Sequence, residues 1–331
     1  MALTYKKSGV DISKADKLIA SIKTIAKTNN PAVLGSIGGF SGFFKLDLKN
    51  IKQPILAASC DGVGTKLKLA FYIGEHETAG IDLVAMNVND LVACGAKPLF
   101  FLDYVSSSSL KLKDLTAFIK GISKACKESG CFILGGETAQ MPGFYESDEY
   151  DAAGFCVGLV DKKEIIDGSS IKNGDVVIGL ASNGIHSNGY SFVRKAFSLK
   201  YIKTNKKLFY RPTKLYVKPI LSLKDKVKIK GIAHITGGGF SDNIIRILPK
   251  GITCEIFKCS WPIPEVFTLL KEKTQASMKE MYHTFNMGIG MVVVVSKNDA
   301  DKALRVLKKE KANAYIIGTC KKSHKKSVII G

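Results

Sequence analysis

CDGVGTK, residues 60–66, follows the short apolar run ILAAS at 55–59 and carries Asp61 out of a strand into a glycine-framed turn. The pattern returns in NVNDLVACGAKP at 87–98, with Asp90, and in GGETAQMPG at 135–143, with Glu137. Short apolar runs bounded by glycine and polar turns suit strands buried on both faces. Between them lie helical patterns. Residues 80–95 are apolar almost all round, with Asn87 and Asp90 on one face, and Leu112, Leu115, Phe118, Ile119, Ile122 and Cys126 mark an amphipathic helix that stops at Gly130. Ahead of them, Ala15, Leu18, Ile19, Ile22, Ile25 and Ala26 form one stripe behind Ser13, the expected N-cap.

The alternation continues through strands at 99–105, 131–134 and 153–160, then pauses at Asp167-Gly168 and Asn173-Gly174. A domain boundary is expected there, giving an N-terminal domain at 1–168 and a C-terminal domain at 169–331. The second half resumes with a strand at 176–181, late strands at 291–295 and 315–317, and a helix at 299–309 between them. Residues 198–211 form the longest unpatterned stretch. The fold class read from this order is α/β, in two compact domains.

With 331 residues, 46% of them hydrophobic, each half can bury a full core. No run approaches the roughly 20 apolar residues of a membrane span, and MALTYKKSGVDIS lacks the apolar stretch of a signal peptide, so a cytoplasmic protein with no membrane partner is expected. The eight cysteines never form C-x-x-C and fit reduced core residues. The net charge of +20 lies wholly in the second half: residues 1–168 carry 19 basic and 19 acidic residues, residues 169–331 carry 30 and 10. Only four of the 49 basic residues are Arg, and the lysine clusters lack interleaved aromatics, which favours a solvated lysine face over a nucleic-acid partner.

Carboxylates at the ends of buried strands cost free energy unless their charge is compensated, and a hard divalent cation bridging polyphosphate oxygens compensates it. Asp61, Asp90 and Glu137 are therefore the expected Mg²⁺ ligands of an ATP site; the plainer alternative for each is a helix cap or a lysine partner. Neither G-x-x-x-x-G-K-[ST] nor G-x-G-x-x-G occurs. The amides of Gly35, Gly38, Gly39 and Phe40, and of Gly62, Gly64 and Thr65, are the expected phosphate nests, with Lys66 as a point charge; ordinary glycine turns are the alternative. His186, on a polar strand-to-helix turn, is the expected proton-transfer group, against a hydrogen-bonded loop histidine. His234 fits a buried structural histidine better. Gly237, Gly238 and Gly239 precede a helix and suit a phosphate monoester, with Asn188 and Thr236 nearby as donors.

YKKSGVDI, GSIGGF, DGVGTK, GIDLVAMNVNDLVACGAKPLFFLDY, GGETAQMPG, YDAAGFCVG, HSNGYS, AHITGGGF and MYHTFNMGIGM occur in that order. Together they resemble the aminoimidazole ribonucleotide synthetase (phosphoribosylformylglycinamidine cyclo-ligase) family over nearly the whole chain. The resemblance implies ATP-dependent closure of formylglycinamidine ribonucleotide to aminoimidazole ribonucleotide, the fifth step of purine synthesis. It also implies a mixed α+β fold and a homodimer whose N-terminal sheets join into a barrel. By the same resemblance, Asp61, Asp90 and Glu137 hold Mg²⁺-ATP, Lys66 and the 35–40 loop contact phosphate, and His186 serves substrate or acid–base chemistry. Two positions depart from the family: Gln140 stands where Glu is common, and Cys60 where Thr is common. The competing readings are a thiamine monophosphate kinase or selenophosphate synthetase relative, which should lack HSNGY with TGGGF, and a non-catalytic anion-binding protein using the basic half.

Overall fold

The computed structural model describes residues 4, 5, 7–35, 37–146 and 148–331. Lys6 and Ser36, which fall in two of the quoted motifs, lie outside the described residues. The chain divides into two compact units, Met1–Val88 with Pro98–Asp161, and Asn89–Lys97 with Lys162–Gly331. The division thus falls at Asp161/Lys162 rather than at 168/169, and it assigns Asp90 to the second unit.

The first unit runs α1 (Ile12–Ile25), β1 (Val33–Leu34), β2 (Phe43–Phe44), β3 (Pro54–Gly62), α2 (Leu67–Ile73), α3 (Glu77–Ala93, shared with the second unit), β4 (Lys97–Ser107), α4 (Leu112–Ser129), β5 (Phe132–Gln140) and β6 (Tyr150–Asp161). Asp11, not Ser13, caps α1: its carboxylate accepts from the Lys14 N–H, satisfying one of the orphan donors of the first turn. Gly130, at φ 70°, ends α4 in the left-handed region that glycine enters without penalty. α3 and α4 meet through two glycines. A Cβ on Gly80 would strike the Phe118 carbonyl, and one on Gly121 the Glu77 carbonyl, so the bare backbones are what allow the close crossing.

β3, β6, β4 and β5 form a four-stranded sheet in that order, with β3 antiparallel to β6 and β4 parallel to β5. Gly135 and Gly136 were expected in a turn but continue β5, opposite Leu102 and Asp103 of β4. The reason is local. A Cβ on Gly136 would stand 2.6 Å from the Asp103 carboxylate oxygen, so the pairing itself requires glycine there. Gln140, one of the family departures, clasps Asp11: its Oε1 accepts from the Asp11 N–H at 2.8 Å and its Nε2 donates to the Asp11 carbonyl at 3.2 Å. A carboxylate cannot make the second bond.

The second unit runs β7 (Val176–Ala181), α5 (Tyr190–Ala196), α6 (Leu199–Thr204), α7 (Lys206–Phe209), α8 (Val217–Lys224), β8 (Ile229–His234), α9 (Gly239–Ile247), β9 (Ile252–Ile256), α10 (Glu265–Thr274), α11 (Met278–Thr284), β10 (Ile289–Val295), α12 (Ala300–Lys309), β11 (Ala314–Lys322) and β12 (Ser327–Ile330). Its six-stranded sheet has the order β12-β9-β11-β7-β10-β8. β10 lies between β7 and β8 with every residue buried, which is why IGMVVVV shows no polar alternation. The unpatterned stretch at 198–211 holds the two short helices α6 and α7. All eight cysteines are free thiols, five of them buried.

Candidate functional site

In the first unit, α1, the glycine loop and the paired strands β4 and β5 line a cavity of about 610 Å³. The α1 stripe read from the sequence faces this space: Ala15, Leu18, Ile19 and Ile22 line it, and only Leu18 of that helix is buried. Gly38, Gly39 and Phe40 close one side; Gly135, Gly136, Glu137 and Thr138 form another. Gly38, at φ 111°, has a conformation that suits glycine, and a Cβ there would also meet the Lys23 side chain at 2.8 Å. Gly35, at φ 82°, opens the same loop. Phe40 projects fully into solvent, and Glu137 is exposed. The structure thus gathers Gly38, Gly39, Phe40 and Glu137 around one space.

Asp103 of β4 also lines this cavity and was not singled out from the sequence. It is 7% exposed, and burial pushes its carboxyl up to about 7, because the charged form loses hydration that a backbone hydrogen bond offsets only in part. The signal was present: one acid inside the apolar run at 99–105. Strand periodicity alone gave no reason to weigh it.

Asp61 lies elsewhere in the same unit. It sits near the end of β3, opposite Gly154 of β6, where its carboxylate accepts from the Gly62 N–H at 2.7 Å and its carbonyl accepts from Asn87 Nδ2 at 3.3 Å. β3 and β5 are the two edges of the sheet, so three strand spacings, roughly 14 Å, separate the Asp61 and Glu137 strands within one chain. Among the described residues, no three His, Cys, Asp or Glu side chains form a metal-holding group. Magnesium needs only one or two protein carboxylates when phosphate oxygens fill the other positions, so the hard-oxygen chemistry of a single one of these acids fits the ion.

The structure places Lys66 differently from the expectation of a phosphate contact. It is fully buried, with Nζ 2.6 Å from Asp82 Oδ2 of α3. Burial lowers its pKa, and the Asp82 charge opposes that shift. An ammonium in the interior demands a counter-ion, and the Lys66–Asp82 pair meets that demand. Gly62 lies in β3, while Gly64 and Thr65 open the helical turn at Gly64–Lys66, and both are exposed.

The second unit gathers a separate polar cluster. His186 lies between β7 and α5 at φ 68°, 2% exposed, and its Nε2 accepts backbone N–H bonds from Asn183 at 3.2 Å and Lys214 at 3.5 Å. An Nε2 that accepts from amides places the neutral ring's proton on Nδ1. As placed, the ring holds the turn rather than offering a free Nε2. Gly290 of β10 allows this packing, since a Cβ there would meet Tyr216 Oη and His186 Cε1. Lys214 donates from Nζ to the Ala181 carbonyl at 3.1 Å, and its burial lowers its pKa.

His234, at the end of β8, binds Asp90: Nδ1 lies 2.8 Å from Asp90 Oδ1. Asn89, fully buried beside it, donates to the Lys214 carbonyl and accepts from the Tyr216 N–H, each at 2.9 Å. Asp90 therefore has a histidine partner that the sequence did not reveal. Asn188 approaches Gly237, with Oδ1 3.4 Å from where a Cβ would stand. Asn243 of α9 clasps the Thr236–Gly239 turn by donating to the carbonyls of Gly237 at 3.2 Å and Gly239 at 2.7 Å. Gly238 caps α9 at φ 85°. Asp242, in the first turn of α9, brings a carboxylate oxygen within 2.6 Å of where a Gly238 Cβ would stand, so an anion at this helix end meets a negative neighbour.

These two units define the chain as an AIR synthase related protein: the N-terminal domain model of that family matches residues 46–160 and the C-terminal domain model residues 172–331. Curated relatives named phosphoribosylformylglycinamidine cyclo-ligase include one from Thermodesulfovibrio yellowstonii, 50% identical over 100% of both chains. Another, from Thermoanaerobacter sp. strain X514, is 54% identical over 96% of this chain and 97% of its own. The chain belongs to the phosphoribosylformylglycinamidine cyclo-ligase family. Solved structures share the fold at low identity. The hydrogenase maturation protein HypE of E. coli matches with a TM-score of 0.69 at 16% identity, covering 96% of this chain and 94% of its own. Thiamine monophosphate kinase of Aquifex aeolicus matches with a TM-score of 0.60 at 16% identity, covering 95% and 96%. No helix among the described residues is long and apolar enough to cross a membrane.

Proposed function

We propose that the chain uses ATP to close formylglycinamidine ribonucleotide into aminoimidazole ribonucleotide, releasing ADP and phosphate, as the fifth step of purine synthesis. The observation that carries this reading is identity of about half the residues, end to end, with curated cyclo-ligases. In the reaction, phosphorylation of the substrate's amide oxygen converts a poor leaving group into phosphate. The neighbouring amidine nitrogen then attacks that carbon and closes the ring.

The nucleotide is assigned to the cavity of the first unit. Its glycine loop lets backbone amides approach phosphate oxygens, and the α1 stripe gives the cavity an apolar wall. Mg²⁺, when bound, would neutralise charge on the transferring phosphoryl group, and Asp61 and Glu137 of this unit are the carboxylates assigned to hold it. Lys66 is left out of the phosphate contacts because its charge is spent on Asp82. In the second unit, Asn188, Thr236 and Gly237 to Gly239 are assigned to the substrate phosphate. His186 is assigned to holding its own turn, through the Asn183 and Lys214 amides.

A homodimer closed through the N-terminal sheets completes the proposal. β3 ends the sheet order on one side and β5 on the other, and β3 exposes apolar side chains, with Leu56 59% exposed. Unpaired edges of this kind invite another chain. Joining the edge of one copy to that of another would also bring together carboxylates that one chain holds apart. The function is tested by incubating the purified protein with formylglycinamidine ribonucleotide and Mg²⁺-ATP, and following ADP and the aromatic amine product together.

A further inference from the structure

Lys214 lies between α7 and α8 in the second unit, half-buried, and its charge is unanswered. Among the described residues its Nζ has one acceptor, the Ala181 carbonyl at 3.1 Å, and no carboxylate. The same carbonyl accepts from Tyr216 Oη at 3.0 Å, and the ammonium stands 5.7 Å from the centre of the Tyr216 ring. The buried Lys66 and Lys230 each meet an acid instead, Asp82 and Asp175. Burial lowers the Lys214 pKa, and no neighbouring charge opposes that shift. Nor is an acid close in sequence: residues 176–224 carry ten basic residues and no Asp or Glu. An ammonium has three N–H donors, so this one keeps others for a ligand, and a cation drawn partly out of water calls for an anion.

The surroundings indicate which anion. β7 and β8 both flank β10, with Ala181 opposite Ile289 and His234 opposite Met291, so the turns that follow β7 and β8 leave the sheet at one end. Lys214 is tied to both. Its N–H donates to His186 Nε2 at 3.5 Å, and its carbonyl accepts from Asn89 Nδ2, which lies 3.4 Å from His234 Nε2. Asn188 and the Thr236–Gly239 turn offer hydrogen-bond donors without net charge, and His234 faces Asp90. Asp242 sets a negative charge beside Gly238. We propose that Lys214 is the cation that binds the substrate's phosphate monoester at these two turns, its Nζ donating to the phosphate oxygens. The inference rests on the cyclo-ligase reading and adds a charged contact to the neutral donors assigned there. Lysine serves such a phosphate as a point charge.

The test is isothermal titration of the full-length protein with formylglycinamidine ribonucleotide, its dephosphorylated ribonucleoside and Mg²⁺-ATP, using wild type, Lys214→Met, Lys214→Arg and Lys218→Met, with thermal melting to establish folding. Wild type should bind the ribonucleotide more tightly than the ribonucleoside. Lys214→Met should narrow that ratio by about tenfold or more, through loss of a charge-assisted hydrogen bond, and leave Mg²⁺-ATP affinity within about twofold. Lys214→Arg should keep the ratio within about threefold. Lys218, exposed on α8, reports the general field of the basic half, and Lys218→Met should leave the ratio unchanged. If Lys214→Met does not fold, Lys214→Gln takes its place, since it retains an N–H donor and loses the charge. A folded uncharged variant with the wild-type ratio, an equal narrowing by Lys218→Met, or a loss confined to Mg²⁺-ATP overturns the proposal while leaving the cyclo-ligase reading intact. Wild type that binds ribonucleotide and ribonucleoside equally does the same. Wild type that binds neither the ribonucleotide nor Mg²⁺-ATP overturns the cyclo-ligase reading and the proposal with it.

Discussion

Replacing Asp103 by Asn should stabilise the protein at alkaline pH and have little effect at acid pH. The carboxyl is 7% exposed and its folded pKa is raised from 3.8 to about 7 by desolvation. The folded state therefore binds more protons than the unfolded state between those values, and stability falls as pH rises through that window. The favourable contribution is fully present below the unfolded pKa, near 4, and is gone once pH passes the folded value. A shift of roughly three units at 1.36 kcal/mol each sets a ceiling of about 4 kcal/mol on the difference between pH 4 and pH 8. Asparagine has the size of the protonated acid and never ionises, so it lacks the penalty. Thermal midpoints of wild type and Asp103→Asn should nearly coincide below about pH 4 and diverge progressively to several degrees at pH 8, with the variant higher; about 2–4 °C per kcal/mol applies to domains of this size. Midpoints that stay parallel across pH 5 to 8 would refute the argument that Asp103 is buried without a compensating charge.

Lys66→Met should destabilise the protein by about 3–5 kcal/mol, because it leaves Asp82 buried without its partner; adding Asp82→Leu should recover much of the loss in chemical denaturation. Gln140→Glu should cost about 1–3 kcal/mol, since the new carboxylate meets the Asp11 carbonyl where Nε2 now donates, and a lower melting temperature would show it. Glu137→Gln should lower kcat for ADP release by about a hundredfold while the fold melts normally, if this cavity handles the transferring phosphate. If two copies join through β3 as proposed, wild type should sediment as a dimer and Leu56→Asp on the exposed edge strand as a monomer. A variant that sediments as the wild type does would remove β3 from the interface.

Much of the element order was legible because local rules and tertiary context agree at those positions. The strand at 176–181 and the stop of α4 at Gly130 are read to the residue, the first from an unbroken apolar run, the second from the left-handed turn glycine permits. Gly135-Gly136 misled because two glycines usually mark a turn, whereas here they keep a parallel strand clear of the Asp103 side chain of its neighbour. Ser13 and Asp11 both satisfy the N-cap rule, and the choice of Asp11 goes with the Gln140 clasp, 129 positions away in sequence. For the site, the glycine loop and Glu137 were legible as residue types with a plain chemical use. The counter-ion of Lys66 and the His234 partner of Asp90 were not, since ion pairs across long sequence separations leave no periodic trace. Asp103 was visible as an acid in an apolar strand, but only burial gives it meaning.

The central claim is that this chain couples ATP cleavage to ring closure. The most direct measurement is product stoichiometry: full-length protein with Mg²⁺-ATP and formylglycinamidine ribonucleotide should form ADP and aminoimidazole ribonucleotide in equal amounts, and neither when either substrate is withheld. ADP without the ring product, or no turnover from protein that is folded and binds ATP, would contradict it.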